Sequence, residues 1–118
     1  MEKGISNQNN NLKERFIEFT LNIIKISKEL NKSIENNIFS NQIIRSTSSI
    51  GANYQEAQAA QSKKEFITKI YISLKEANES YYWLELIERN NQIKLDKIKN
   101  ECIEIIKILT SIIKTSKK

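Results

Sequence analysis

From Asn11 onward, apolar residues recur at alternating steps of four and three: Leu12, Phe16, Phe19, Ile23, Ile26 and Leu30. Such spacing keeps one face of an α-helix apolar, and over roughly 30 Å of helix at about 1.5 Å per residue it forms a seam for a neighbouring helix. Asn31 to Asn37 supplies a turn. A second helix is predicted from about Ile38 to Gln61, with Ile43, Ile50 and Ala57 along one edge. Ser62-Lys63-Lys64-Glu65 reads as a capping box: the Ser62 hydroxyl accepts from the Glu65 amide and the Glu65 carboxylate reaches back to the Ser62 amide. The third helix starts there, with Ile67, Ile70, Leu74, Ala77, Tyr81 and Leu84 as its stripe and Asn90-Asn91 at its end. Leu95, Ile98, Cys102, Ile105, Leu109 and Ile112 repeat the spacing in a fourth helix, which runs out into Lys114 to Lys118.

The pattern predicts an all-α fold, an antiparallel up-down-up-down four-helix bundle, because short connections make consecutive helices antiparallel neighbours. The absence of proline and the presence of only two glycines leave nothing that argues for a sheet. Residues 1–10, rich in Asn and Gln, have no period and read as a disordered tail, and residues 11–118 form a single domain.

One helix-length segment departs from simple design. Within Arg45 to Phe66, the residues Thr47, Ser48, Ser49, Gly51 and Asn53 all disfavour a helix interior. Small side chains admit a close neighbour, so Gly51 and Asn53 are expected to serve packing. Arg45, Ser49, Asn53 and Glu56 follow at steps of four, four and three and share a face, a polar seam. Two readings stand for it: a structural network, in which Arg45 pairs with an acid of a neighbouring helix or subunit, and a ligand or partner site.

Arg45, Ser46, Ser49, Ile50, Ala52, Asn53 and Glu56, followed by Ser62, Lys63, Lys64 and Phe66, resemble the pattern R-S-x-x-S-I-x-A-N-x-x-E then S-K-K-x-F of the four helix bundle protein family, also called the ribosomal RNA intervening-sequence protein family. The likeness extends through Ile72 to Leu86. Many members carry glycine after the glutamate, where this chain has Ala57. The resemblance implies a four-helix bundle that assembles as a homo-oligomeric ring, a homopentamer, and supplies no reaction. It also implies a setting, since the family takes its name from genes inside insertions in large-subunit ribosomal RNA genes. Related accessory proteins of diversity-generating retroelements partner a reverse transcriptase.

Charge and candidate chemistry narrow the function. The chain has no histidine, which removes the commonest general base and metal ligand, and its serines lack an activating partner. A non-enzymatic protein without metal or cofactor is expected. The single cysteine, Cys102, sits in the apolar stripe of the fourth helix and reads as a buried structural thiol. No apolar run suits a membrane span or a signal peptide, so a cytoplasmic protein without a membrane partner is expected.

The net charge of +5 suits weak attraction to polyanions, and residues 91–118 hold seven Lys against three Asp or Glu. Lys107, Lys114 and Lys118 fall within about 40° on the fourth helix and make a basic stripe. In a ring such stripes are multiplied, which opens contact with RNA or DNA, directly or beside a nucleic-acid enzyme. Ile72 and Trp83 point within about 20° of each other, away from the core stripe, and are the candidate subunit interface, with base stacking by Trp83 or Tyr82 and ordinary semi-exposed packing as the alternatives. The rival reading is a purely structural or protein-binding module with no nucleic-acid contact.

Overall fold

The computed structural model describes residues 2–118, with side chains from Asn11 onward. Four helices make up the fold: α1 (Glu2–Glu29), α2 (Ile34–Gln58), α3 (Lys63–Asn91) and α4 (Asp96–Lys117). α1 is helical from Glu2, where the sequence pattern predicts a tail. Extending an existing helix costs little, because nucleation is the expensive step.

The helix ends show how local chemistry sets the boundaries. α2 begins four residues earlier than predicted, because Ser33 caps it by accepting the Asn36 amide at 3.1 Å. At its other end the Ala59 and Ala60 amides donate to Glu56 and Ala57, both at 3.1 Å, which tightens the last turn and closes the helix at Gln58. Ser62 caps α3 as predicted, accepting from the Glu65 amide at 3.0 Å. The Glu65 carboxylate, however, accepts from the Gln61 amide at 3.0 Å rather than from Ser62. α4 has no side-chain cap of its own. Glu88 of α3 fills that role: one carboxylate oxygen accepts the Leu95 amide at 2.8 Å and the other pairs with Lys99 at 2.9 Å. Those two contacts, the Leu95 amide first, hold the Glu88 carboxyl below its ordinary range.

Each helix packs on its sequence neighbours, and α4 returns to α1. Asn36 meets Asn91 while Glu56 meets Lys69, so α2 and α3 run antiparallel. Tyr71 meets Lys117 while Glu88 meets Lys99, so α3 and α4 do too. The bundle measures 47 × 24 × 19 Å. Its core holds Phe16, Phe19 and Ile23 of α1, Ile43, Ile50 and Tyr54 of α2, Leu84 and Ile87 of α3, and Cys102, Ile105 and Leu109 of α4. Gly51 sits beside α1: a Cβ built there would meet the Phe16 Cβ at 3.4 Å, an ordinary van der Waals contact.

α3 corrects the sequence reading. Its buried seam is Ile70, Ser73, Ala77, Ser80, Leu84 and Ile87, while Ile67, Leu74 and Tyr81 are half-buried flanks. Small polar residues occupy the centre because α2 and α3 approach closely, and their hydroxyls are satisfied within the interface. The Ser46 and Ser80 hydroxyls lie 2.7 Å apart, and Ser73 donates to the Ile50 carbonyl. A buried hydroxyl with a partner loses little on leaving water, which makes serine tolerable where only a small side chain fits.

Cys102 is fully buried, and its thiol donates to the Ala77 carbonyl at 3.4 Å. Burial, with a smaller contribution from Glu101, pushes the thiol from 9.0 to about 12. Below pH 9 it is neutral folded or unfolded; above it only the unfolded thiol ionises, so its contribution to stability is lost as pH rises through this window. Denaturant melts of wild type and Cys102→Ala at pH 8 and pH 10 should show the difference between them shrinking by about 1 kcal/mol. An unchanged difference would mean that the thiol ionises as readily in the fold as outside it.

Candidate functional site

The outer seam between α2 and α3 brings together two sets of residues that the sequence treats separately. Along α2 run Ile34, Ile38, Gln42, Arg45, Ser49, Asn53 and Glu56; along α3 run Lys69, Ile72, Glu76, Glu79 and Trp83, each series at steps of three and four. Cross-helix contacts tie them into one face. Lys69 pairs with Glu56 at 2.8 Å, and Arg45 reaches Glu76 at 3.3 Å and also Glu79. Arg45 therefore pairs with acids of a neighbouring helix within the same chain. Asn53 donates to the Ser49 carbonyl at 2.9 Å. The four seam residues share a face without converging on a pocket, and the buried polar groups of α2 are instead Ser46, Thr47 and Asn36.

Trp83 sits at one end of this face, half-buried against the core, with its ring 6.2 Å from Phe39. It is thus more deeply packed within the chain than its position off the stripe suggests. Its indole N–H donates to Glu79 at 2.8 Å, and this bond, together with Arg45, holds the Glu79 carboxyl below its ordinary range. Ile72 is half-buried near the middle of the face. Ile34 and Ile38 extend the apolar end and are 78% and 52% exposed, large values for isoleucine.

The predicted basic stripe is distributed. Lys107 pairs with Glu104 at 3.6 Å, whereas Lys114 and Lys118 are exposed beyond it. Lys117, outside that stripe, donates to the Tyr71 hydroxyl of α3 at 2.8 Å. Spacing along α4 alone gives no signal for this contact, which depends on the register of α3 against α4.

Of the neighbouring helix pairs, α1 and α4 are the least closely packed, and a groove of about 690 Å³ lies between them, with Phe19, Ile26, Leu95 and Ile98 among its lining. Arg15 spans it by a two-pronged pair with Glu101 at 2.8 and 2.7 Å, which raises the Arg15 pKa. Among the described residues no group of three or more His, Cys, Asp or Glu side chains is placed to hold a metal ion.

The model of the 23S rRNA-intervening sequence proteins matches residues 8–111, which spans most of the chain and reaches all four helices. The chain belongs to this family. The seam and its ion pairs fall inside the matched segment, while Lys114, Lys117 and Lys118 lie past it. Among solved structures, a protein of unknown function from the S23 ribosomal protein family of Bacteroides thetaiotaomicron is 45% identical. It superposes with a TM-score of 0.80, and the match covers 90% of this chain and 97% of that one. No curated protein matches the chain.

Proposed function

We propose that this family member is a non-enzymatic scaffold or accessory protein of the cytoplasm that works as a homo-oligomeric ring, a pentamer in the favoured form, and engages RNA, DNA or a nucleic-acid enzyme through basic surfaces. A kinship with the accessory proteins of diversity-generating retroelements is part of the same proposal. The observation that carries it is the α2–α3 face, along which half-buried Ile72 and Trp83 and exposed Ile34 and Ile38 lie among charged residues. Apolar groups surrounded by a polar rim are the usual anatomy of a subunit contact. The family's name, which ties it to ribosomal RNA, and the net charge of +5 support the nucleic-acid half of the reading. A protein-binding module without nucleic-acid contact is the second reading, and the apolar exposure of Ile34 and Ile38 favours it.

Sedimentation at micromolar concentration is expected to find a ring, with Ile72→Glu or Trp83→Glu dissociating it. Trp83 also packs inside the chain, so Ile72→Glu is the cleaner probe of the surface. A wild-type monomer defeats the assembly; an intact oligomer in both variants moves the interface elsewhere.

A further inference from the structure

Several charges of α3 are engaged on its α2 side. Glu76 and Glu79 turn to Arg45 on the α2 side, Lys69 turns to Glu56, and Glu65 is held by the Gln61 amide. What remains on the outward stripe is Lys64, Thr68, Tyr71, Lys75, Asn78 and Tyr82, with no acid among them. Helical spacing places Lys64, Tyr71, Lys75 and Tyr82 within about 40° of one another, and the two tyrosines about 16 Å apart. Both rings are open to solvent, Tyr71 at 45% and Tyr82 at 58%.

The end of α4 lies alongside. Its residues 105–118 carry Lys107, Lys114, Lys117 and Lys118 and no acid. Lys117 bonds the Tyr71 hydroxyl at 2.8 Å and stands 5.0 Å from the ring centre, so the ammonium sits toward the hydroxyl end. The ring is held in place while much of its surface stays open. Tyr82 is steadied in its turn by an edge contact with Trp83, the ring centres 5.5 Å apart.

We propose that this ridge of α3, with the end of α4 beside it, is a docking surface for single-stranded nucleic acid, taking phosphates on Lys64, Lys75, Lys114 and Lys117 and stacking bases on Tyr71 and Tyr82. The proposal deepens the nucleic-acid reading above, on which it rests. Aromatic rings interleaved with cations are what an unpaired strand requires, since its bases expose flat faces and its backbone a regular line of charge. A duplex hides those faces, and the ridge has no element suited to reading a groove. Glu76 and Glu79 are drawn toward Arg45, and Glu85, the acid next along the stripe after Tyr82, is offset by Arg89, so the ridge repels phosphate less than the composition of α3 implies.

Fluorescence polarisation with a labelled twelve-nucleotide oligouridylate, and with a duplex of equal length, tests it across a series of salt concentrations. Wild type should bind the single strand more tightly than the duplex. Tyr71→Ala with Tyr82→Ala should weaken single-strand binding about ten-fold or more and leave the salt slope nearly unchanged. Lys64→Gln, Lys75→Gln and Lys117→Gln together should flatten the slope of log affinity against log salt by about 2. Lys32→Gln, at the opposite end of the bundle, should change neither. All these side chains reach solvent, and thermal melts confirm that each variant is folded. Binding that survives both sets of changes places the site elsewhere and overturns this ridge while the nucleic-acid reading stands. Loss with the lysines but not the tyrosines overturns the stacking. No binding by wild type even at low salt defeats the nucleic-acid reading itself, and the ridge with it.

Discussion

Ser80→Leu should destabilise the protein by about 3 kcal/mol, read as a lower midpoint in denaturant with an unchanged slope. Ser80 is fully buried at the α2–α3 contact, its hydroxyl 2.7 Å from that of Ser46 and 2.8 Å from the Glu76 carbonyl. Leucine adds volume where the helices already touch and leaves the Ser46 hydroxyl with only the Ile43 carbonyl, at 3.2 Å. Both effects act in the same direction. Ser80→Ala separates them, because it removes the hydrogen bond without adding bulk and should cost only about 1 kcal/mol. Equal stability for wild type and Ser80→Leu would mean that α2 and α3 part freely at this level.

Phe16→Ala is expected to cost about 3–5 kcal/mol, the range for deleting a buried aromatic ring. Phe16 is 1% exposed, meets the Tyr54 ring edge-on with centres 5.1 Å apart, and lies against Gly51. Removing it takes away a contact of each. α1 is attached through α2 and only loosely through α4, so little else compensates. Thermal unfolding followed by circular dichroism should show a lower midpoint; a midpoint within a degree of wild type would show that α1 contributes little to the cooperative core.

The apolar positions of α1 and α4 are legible in the sequence because large side chains at steps of three and four suit one face of a packed helix and no other regular element. Phe16, Phe19, Ile23, Cys102, Ile105 and Leu109 all lie in the core as their spacing predicts. α3 is only partly legible for the opposite reason. Apolar spacing selects Leu74 and Tyr81, yet Ser73 and Ser80 hold the centre, since the distance between two helices decides whether a small polar residue outcompetes a large apolar one. The start of α2 escapes the apolar pattern because the Asn-rich stretch hides the Ser33 cap.

The candidate site divides along the same line. That Arg45, Ser49, Asn53 and Glu56 share a face, and that Ile72 and Trp83 share another, follows from helical geometry within single elements. That both belong to one seam, and that Lys117 meets Tyr71, depends on the register between helices. By itself, then, the sequence determined four helices, their apolar faces and the single-chain stripes, because each is governed by neighbours within one or two turns. Only the tertiary structure decided which stripes face one another, which acids are drawn off by Arg45, Lys69 and Lys99, and which cations stay open on the α3 ridge. Those outcomes turn on contacts between residues far apart in the chain, where a slide of one helix turn exchanges one partner for another.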